Sequence, residues 1–259
     1  MDYLIGYRKW FNSYTGELLK GLQYKPDNFH LKIVHTDRVV KNTILISESL
    51  QLSDFAHKSA VLSALFHDIG RFNQYCRFGT FKDDISLDHG DYGAEILKEF
   101  GVLDDLSNQM KEMINNTIIL HNKHTIPDNV SDENAVILKI IRDADKIDIY
   151  RIISEQNKME CSNRTVMLDL DRSNAVSELI YKQVMDGENV KYTDLKSFDD
   201  FKALQLGWVY DINYPISFTL IKKYNYLEDI YKSMAQNKYS DNIYYSVKNY
   251  VDSKLKDNQ

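Results

Sequence analysis

The sequence contains few of the residues that end helices and build tight turns. Only 3 prolines and 10 glycines occur among its 259 residues. Folds made of β-strands need many tight turns, which are usually built with these residues. The hydrophobic fraction, 43%, can fill a substantial core and excludes disorder as the main state. The sequence therefore favours an all-α fold.

Apolar residues recur at helical spacing along most of the chain. The predicted helices cover 3–22, 28–51, 54–69, 89–100, 106–122 and 132–157, and the pattern stays mostly helical beyond 165. Gly70 follows the third helix, and we expect it to end that helix. The stretch 72–88 has no sustained period. It predicts a long loop, which in a compact domain is often functional.

Charge and cysteine content narrow the class of protein. The 32 basic and 38 acidic residues give a net charge of −6, so the chain has no overall attraction for nucleic acid or anionic membrane. The two cysteines, Cys76 and Cys161, cannot build a disulfide framework and suit a reducing compartment. The N-terminus lacks a secretory h-region, and no segment approaches about 18 uncharged apolar residues. We expect a cytoplasmic protein with no membrane and no nucleic-acid partner.

Several histidines and aspartates lie on the apolar faces of the predicted helices. His121 follows apolar residues at intervals of 3, 7, 8 and 11 positions, and Asp145 has isoleucine four positions before and after it. His35 also lies on a partly apolar face. A single histidine in such a position is usually a hydrogen-bonded core residue, and Asp145 could pair with Arg142 or Lys146. Each residue alone therefore has an ordinary explanation.

The complete set needs a common explanation, because a buried carboxylate is costly unless it is paired or bound to a metal. Imidazole and carboxylate together suit divalent ions such as Mn, Fe, Co, Ni and Zn. The set contains no cysteine, which argues against a structural zinc site. The candidate metal ligands are His35, His67, Asp68, His89, His121 and Asp145.

The order of these residues resembles the HD-domain superfamily of metal-dependent phosphohydrolases. The local sequences that carry the resemblance are HTDRV at His35, LFHDIGRF at His67–Asp68, DHGDYGAEIL at His89, ILHNKH at His121 and RDADKIDIYR at Asp145. The resemblance implies an all-α bundle with a metal bound between its helices. It also implies that a first ion is held by His35, His67, Asp68 and Asp145.

His89 and His121 go beyond this four-residue pattern. In subfamilies that bind two metals, additional histidines in this order hold the second ion, and Asp68 would then bridge the pair. We therefore expect a divalent-metal cofactor of two ions, with Mn, Fe, Co, Ni, Mg and Zn not distinguished. In the alternative, a mononuclear enzyme, His89 and His121 would contact the substrate or cap a helix.

Cations near the proposed metals are candidates for holding a substrate phosphate. Arg71 occupies a position where related enzymes often carry a lysine or arginine, and guanidinium binds phosphate bidentately. Lys146 is a second candidate, and with Asp68 and Arg71 it forms the predicted catalytic set. Lys123 and His124 could reach the same opening and join Arg71 as substrate-binding residues. The alternatives are a surface arginine and a solvated loop.

The resemblance covers about residues 28–155, and the pattern on either side of it predicts how the rest of the chain is organised. We predict an N-terminal helix packed on the core in 1–27 and a metal-binding helical core in 28–155. A helical C-terminal extension, 156–259, is expected to belong to the same domain. Its tyrosines could shape the pocket or form a homodimer contact, and the pattern does not choose between these.

The leading functional hypothesis is a phosphomonoesterase or phosphodiesterase that uses metal-activated water. Its substrate would be a nucleotide or small phosphorylated metabolite. A minority branch of the superfamily uses the same ligand pattern to bind two irons and activate O₂, so a di-iron oxygenase is the alternative. A non-catalytic module is the third reading, but none of the expected ligands is missing.

Overall fold

The computed structural model describes residues 2–158, 175–188 and 190–256, with side chains described outside 156–158. Helices are the regular elements of these residues, and no β-strand occurs among them. The all-α prediction is therefore confirmed. The part of the predicted helical pattern at 165–174, and Cys161, lie outside the described residues.

The chain divides into two compact units, Met1–Asp145 and Lys146–Gln259. The division falls inside one long helix, Asp132–Lys158, rather than at the end of it. The boundaries proposed from the sequence, at 27/28 and 155/156, stay predictions.

Seven helices contribute to the first unit, and a short 3₁₀ turn, Asp83–Ile85, lies between the fourth and fifth. They are α1 (Tyr3–Lys20), α2 (Pro26–Ser49), α3 (Asp54–Phe66), α4 (Ile69–Phe78), α5 (His89–Glu99), α6 (Asn108–Leu120) and the first part of α7 (Asp132–Lys158).

Helix α3 is the central element of the first unit. Every residue from Ser59 to Phe66 is buried, as expected for a helix that is apolar on all sides. It packs against α1, α2 and α6. Because the chain leaves α3 at this buried end, the two residues that follow, His67 and Asp68, are delivered into the interior.

The loop predicted for 72–88 is wrong over its first part. Residues Ile69–Phe78 form α4, and Gly70, which we expected to end a helix, lies inside it. The apolar residues Ile69, Phe72 and Tyr75 are spaced by three and are all buried, so the helix does present an apolar face. At ten residues it is too short to give a sustained period, which explains the error.

Two glycines allow α5 to approach its neighbours closely. A Cβ atom on Gly70 would lie 2.3 Å from the backbone oxygen of His89, so α4 and α5 touch through backbone atoms. A Cβ atom on Gly90 would lie 2.7 Å from the backbone oxygen of Ile118 in α6. These contacts fix the first turn of α5 between α4 and α6.

The second unit begins with the remainder of α7. It continues through α8 (Glu178–Met185), α9 (Phe198–Gly207), α10 (Pro215–Lys223), α11 (Tyr226–Lys232) and α12 (Lys238–Lys256). Many of its tyrosines pack in pairs. Tyr181 stacks on Tyr239 with ring centroids 4.3 Å apart, and Tyr231 stacks on Tyr244 at 4.2 Å. Aromatic pairs therefore join α8 and α11 to α12.

The helices of the described residues are each too short or too polar to span a bilayer.

Candidate metal centre

All six candidate metal ligands lie in the first unit and come from different positions on its helices. His35 is in the middle of α2, and His67 and Asp68 form the link between α3 and α4. His89 is the first residue of α5, and His121 directly follows α6. Asp145 lies in α7. Five of the six are buried, and the side chain of Asp145 is 23% exposed.

Three of these residues form a first cluster, in which one ligand atom of each lies within 4.8 Å of the others: His35, His67 and Asp145. The Nε2 atoms of His35 and His67 are 3.4 Å apart. The Oδ1 atom of Asp145 lies 3.1 Å from Nε2 of His35 and 4.0 Å from Nε2 of His67.

The other three form a second cluster within the same limit: Asp68, His89 and His121. The Nε2 atoms of His89 and His121 are 3.1 Å apart. The Oδ1 atom of Asp68 lies 3.4 Å from Nε2 of His89 and 4.0 Å from Nε2 of His121.

Asp68 connects the two clusters through its two carboxylate oxygens. While Oδ1 faces the second cluster, Oδ2 lies 3.5 Å from the Nε2 atoms of both His35 and His67 in the first. A carboxylate placed in this way can give one oxygen to each of two ions. This is the arrangement that the bridging role predicted for Asp68 requires.

The Nδ1 atoms of three histidines have hydrogen-bond acceptors on the side away from the clusters. Nδ1 of His67 is 2.8 Å from the backbone oxygen of Ala64, and Nδ1 of His121 is 2.6 Å from that of Ile118. Nδ1 of His89 is 2.6 Å from Oδ2 of Asp83. From these partners we assign the proton to Nδ1 in each ring. Each Nε2 then carries a lone pair directed into its cluster.

Burial keeps these histidines uncharged. It lowers the pKa of His67 and of His89, and it lowers the pKa of His121 to about 3 with a further contribution from the neighbouring rings. Neutral imidazole is the form that binds metals. His67, His89 and His121 are therefore ready for coordination at neutral pH.

The two aspartates remain ionised. Burial alone would raise the pKa of Asp68, but the charge of Lys32 and hydrogen bonding to His35 outweigh it and hold that pKa well below its usual value. Burial likewise opposes ionisation of Asp145, and hydrogen bonding to His35 reverses the effect, so the pKa of Asp145 is also lowered.

The donor set fits divalent metal ions. In the second cluster two lone pairs face each other across 3.1 Å beside a carboxylate oxygen, and neither ring has a proton to place between them. Such a grouping is repulsive by itself, and a cation relieves the repulsion. The first cluster offers the same chemistry, imidazole and carboxylate, which suits first-row divalent ions.

Lys32 is a residue of the site that sequence reasoning missed. Its Nζ donates to Oδ2 of Asp68 at 2.6 Å and lies 5.6 Å from the centroid of the Phe81 ring. Its side chain is 20% exposed, so the ammonium group borders both the clusters and solvent. The sequence does contain a signal for this role, because Lys32 precedes His35 by three positions and therefore lies on the same face of α2.

Arg71 also borders the site. Its Nε is 3.5 Å from Oδ1 of Asp68, while its Nη1 donates to Oδ1 of Asp83 at 2.5 Å and to Gln74 at 3.0 Å. The guanidinium group is thus fixed beside the shared carboxylate of Asp68. Its predicted role in binding phosphate stays a prediction.

The other predicted cations have partners of their own. Lys123 donates to Asp88 at 2.7 Å and to Asp91 at 3.4 Å, at the start of α5. Lys146 donates to Asp211 at 2.7 Å within the second unit. His124 is exposed, immediately after Lys123. Their predicted roles also stay predictions.

Comparison with known proteins agrees with this geometry. Residues 33–150 match the family model described as HD domain, and this range contains all six candidate ligands. No curated protein and no solved structure matches the chain.

Proposed function

We propose that this chain, whose residues 33–150 match the HD domain family model, is a metal-dependent hydrolase that acts on phosphoester bonds. The substrate would be a nucleotide or a small phosphorylated metabolite. One observation carries the proposal: the carboxylate of Asp68 is shared between two clusters of metal-ligand type. Such a pair of sites is typical of two-metal phosphoryl transfer.

Two divalent ions would be held by the clusters, one by His35, His67 and Asp145 and the other by His89 and His121, with Asp68 common to both. When bound, the ions supply a water nucleophile at neutral pH and neutralise charge on phosphoryl oxygens. His67, His89 and His121 would coordinate as neutral ligands, so they would not cancel the charge of the ions. The two ionised aspartates reduce that charge.

The cations beside Asp68 support a phosphorylated substrate. Lys32 and Arg71 approach the two different oxygens of this carboxylate, at 2.6 Å and 3.5 Å. Metal ions bound to Asp68 would neutralise the charge of this carboxylate, so that it would depend less on Lys32 and Arg71. Both cations would then be available to phosphoryl oxygens at the same place, with guanidinium favoured for bidentate contact.

The ring of Phe81 limits the space next to Lys32. It stacks on Tyr75 with centroids 4.8 Å apart, and the hydroxyl of Tyr75 donates to the backbone oxygen of Lys25 at 3.1 Å. The ring is therefore anchored, with Lys32 lying 5.6 Å from its centroid. An aromatic surface beside a phosphate-binding cation suits a substrate with an apolar or aromatic group near its phosphate.

The proposal is tested by metal analysis of the purified chain together with a screen of phosphomonoester and phosphodiester substrates. We expect two ions per chain, and hydrolysis with redox-inert Mg²⁺ or Mn²⁺ that proceeds without O₂ consumption. Asp68→Asn should abolish hydrolysis, whereas Asp84→Asn, an exposed carboxylate on the same segment as Asp83, should not change it. Turnover that requires iron and consumes O₂ would contradict the hydrolase hypothesis and support the di-iron oxygenase.

A further inference from the structure

His89 differs from the other histidines of the clusters in what its outer nitrogen can reach. His67 and His121 follow the last residues of α3 and α6, where backbone carbonyls have no partner within the helix. Their Nδ1 atoms use the carbonyl three positions earlier in each case. His89 is the first residue of α5, where the unpaired backbone groups are N–H donors. Its Nδ1 proton needs an acceptor from elsewhere.

Asp83 supplies this acceptor from the 3₁₀ turn that precedes α5. Its Oδ2 lies 2.6 Å from Nδ1 of His89. Its Oδ1 accepts from Arg71 at 2.5 Å and from Gln74 at 2.9 Å. Asn122 donates to Oδ2 at 3.2 Å. The carboxylate is therefore held from several sides and directed at one ring nitrogen.

Asn122 lies between Asp83 and a second carboxylate, that of Asp88. Asn122 places its amide Nδ2 3.2 Å from Asp83 and 3.0 Å from Asp88. The amide of Asn122 therefore connects these two carboxylates beside the start of α5.

We propose that Asp83 is a positioning residue for the second metal ion, a role that rests on the proposed two-metal function. It fixes the proton of His89 on Nδ1, orients the ring and raises the electron density on Nε2. The other ring of the second cluster, His121, relies on a neutral backbone carbonyl for the same purpose. Affinity for the second ion should therefore depend on Asp83, whereas affinity for the first should not.

Asp83 also links the metal site to the proposed phosphate site. The carboxylate that holds His89 through Oδ2 holds Arg71 through Oδ1. Removing its charge should disturb both partners. One residue thus positions both the ring that would hold the second ion and the guanidinium beside Asp68. It lies in the stretch 72–88, for which the sequence predicts a long loop.

The test is a titration of the chain with Mn²⁺, in which binding is measured by calorimetry. Asp83→Asn keeps an oxygen acceptor and removes the charge, Asp83→Ala removes both, and Asp84→Asn is the matched control. We expect two ions in the wild type and the control. The second ion should bind about 10- to 100-fold more weakly in Asp83→Asn, at least as weakly in Asp83→Ala, and the first should be unaffected. Unchanged binding of the second ion, or equal loss of both ions with an unchanged Tm, would overturn the proposal.

A measurement on the metal-free wild type does not depend on how well the variants fold. Correlation of ring protons with the two imidazole nitrogens by NMR identifies the tautomer of His89. We expect the proton on Nδ1, and a proton on Nε2 would contradict the assigned role. If two ions bind as described but no phosphoester is hydrolysed, the proposed function fails while the role of Asp83 in metal binding stands.

Discussion

Replacing Gly70 by alanine tests how the contact between α4 and α5 positions the second cluster. The new Cβ atom would lie 2.3 Å from the backbone oxygen of His89, whereas ordinary contacts begin at 3.4 Å. The helices must therefore separate by about 1 Å, the difference between these distances. The clashing atom belongs to the backbone of the first residue of α5, so a side-chain rotation cannot relieve the contact.

The cost follows from the size of this displacement. Overpacking typically destabilises a protein by about 1–3 kcal/mol, and alanine recovers about 0.5–1 kcal/mol of helix preference. A net loss of up to about 2.5 kcal/mol corresponds to a decrease in Tm of up to about 5–10 °C for a unit of this size. Misplacing a catalytic group by about 1 Å can cost about 100-fold in rate. We expect weaker binding of the second ion, and a loss of activity of this order.

The matched control is Gly16→Ala in α1, where a Cβ atom would meet nothing within 4 Å. This variant should keep metal binding and gain a few tenths of a kcal/mol or more in unfolding free energy. Thermal unfolding and Mn²⁺ titration of both variants provide the comparison. If Gly70→Ala binds the second ion with wild-type affinity and unfolds at the wild-type temperature, the close contact does not position His89 and the reasoning is wrong.

Three further predictions concern the charges of the site. Asp68→Asn should weaken the binding of both ions, because each cluster loses an anionic ligand. The loss of affinity should exceed the roughly 10- to 100-fold expected for a residue that contacts only a metal ligand. Elemental analysis that finds both ions retained would contradict this. Lys32→Met should raise KM for a phosphoester by about 10- to 100-fold with both ions still bound, as expected for loss of a hydrogen bond to a charged group, and an unchanged KM would remove Lys32 from the substrate site. In the metal-free protein, the three histidines with lowered pKa values (His67, His89 and His121) stay neutral when folded and take up protons on unfolding. The free energy of unfolding should therefore fall as the pH drops below about 6.5, by up to about 1.4 kcal/mol per histidine and pH unit. Urea unfolding at about pH 7.5 and pH 5.5 measures this difference, and equal stability at the two values would refute it.

The helical fold and the inward direction of the ligands could be predicted from the sequence because both depend on local spacing. His121 repeats the register of the apolar residues before it, so its face was determined by its own helix. Asp145 was placed by the isoleucines one turn away on each side. Neither inference required knowledge of a neighbouring helix.

The features that could not be predicted depend on contacts between elements. Gly70 reads as a helix end, yet it lies inside α4, and its lack of a side chain serves the approach of α5. Asp83 acquires its role because α5 begins at His89 and leaves that ring without a backbone acceptor. Lys32 is one polar residue among many on α2 until the end of α3 brings Asp68 to it.

Asp68 would hold two metal ions at once, one through each of its carboxylate oxygens. Electron paramagnetic resonance of the Mn²⁺-loaded chain measures this directly, because ions that share a ligand are magnetically coupled. We expect two Mn²⁺ per wild-type chain with a coupled spectrum. A single bound ion, or two ions with the spectra of isolated Mn²⁺, would contradict the account.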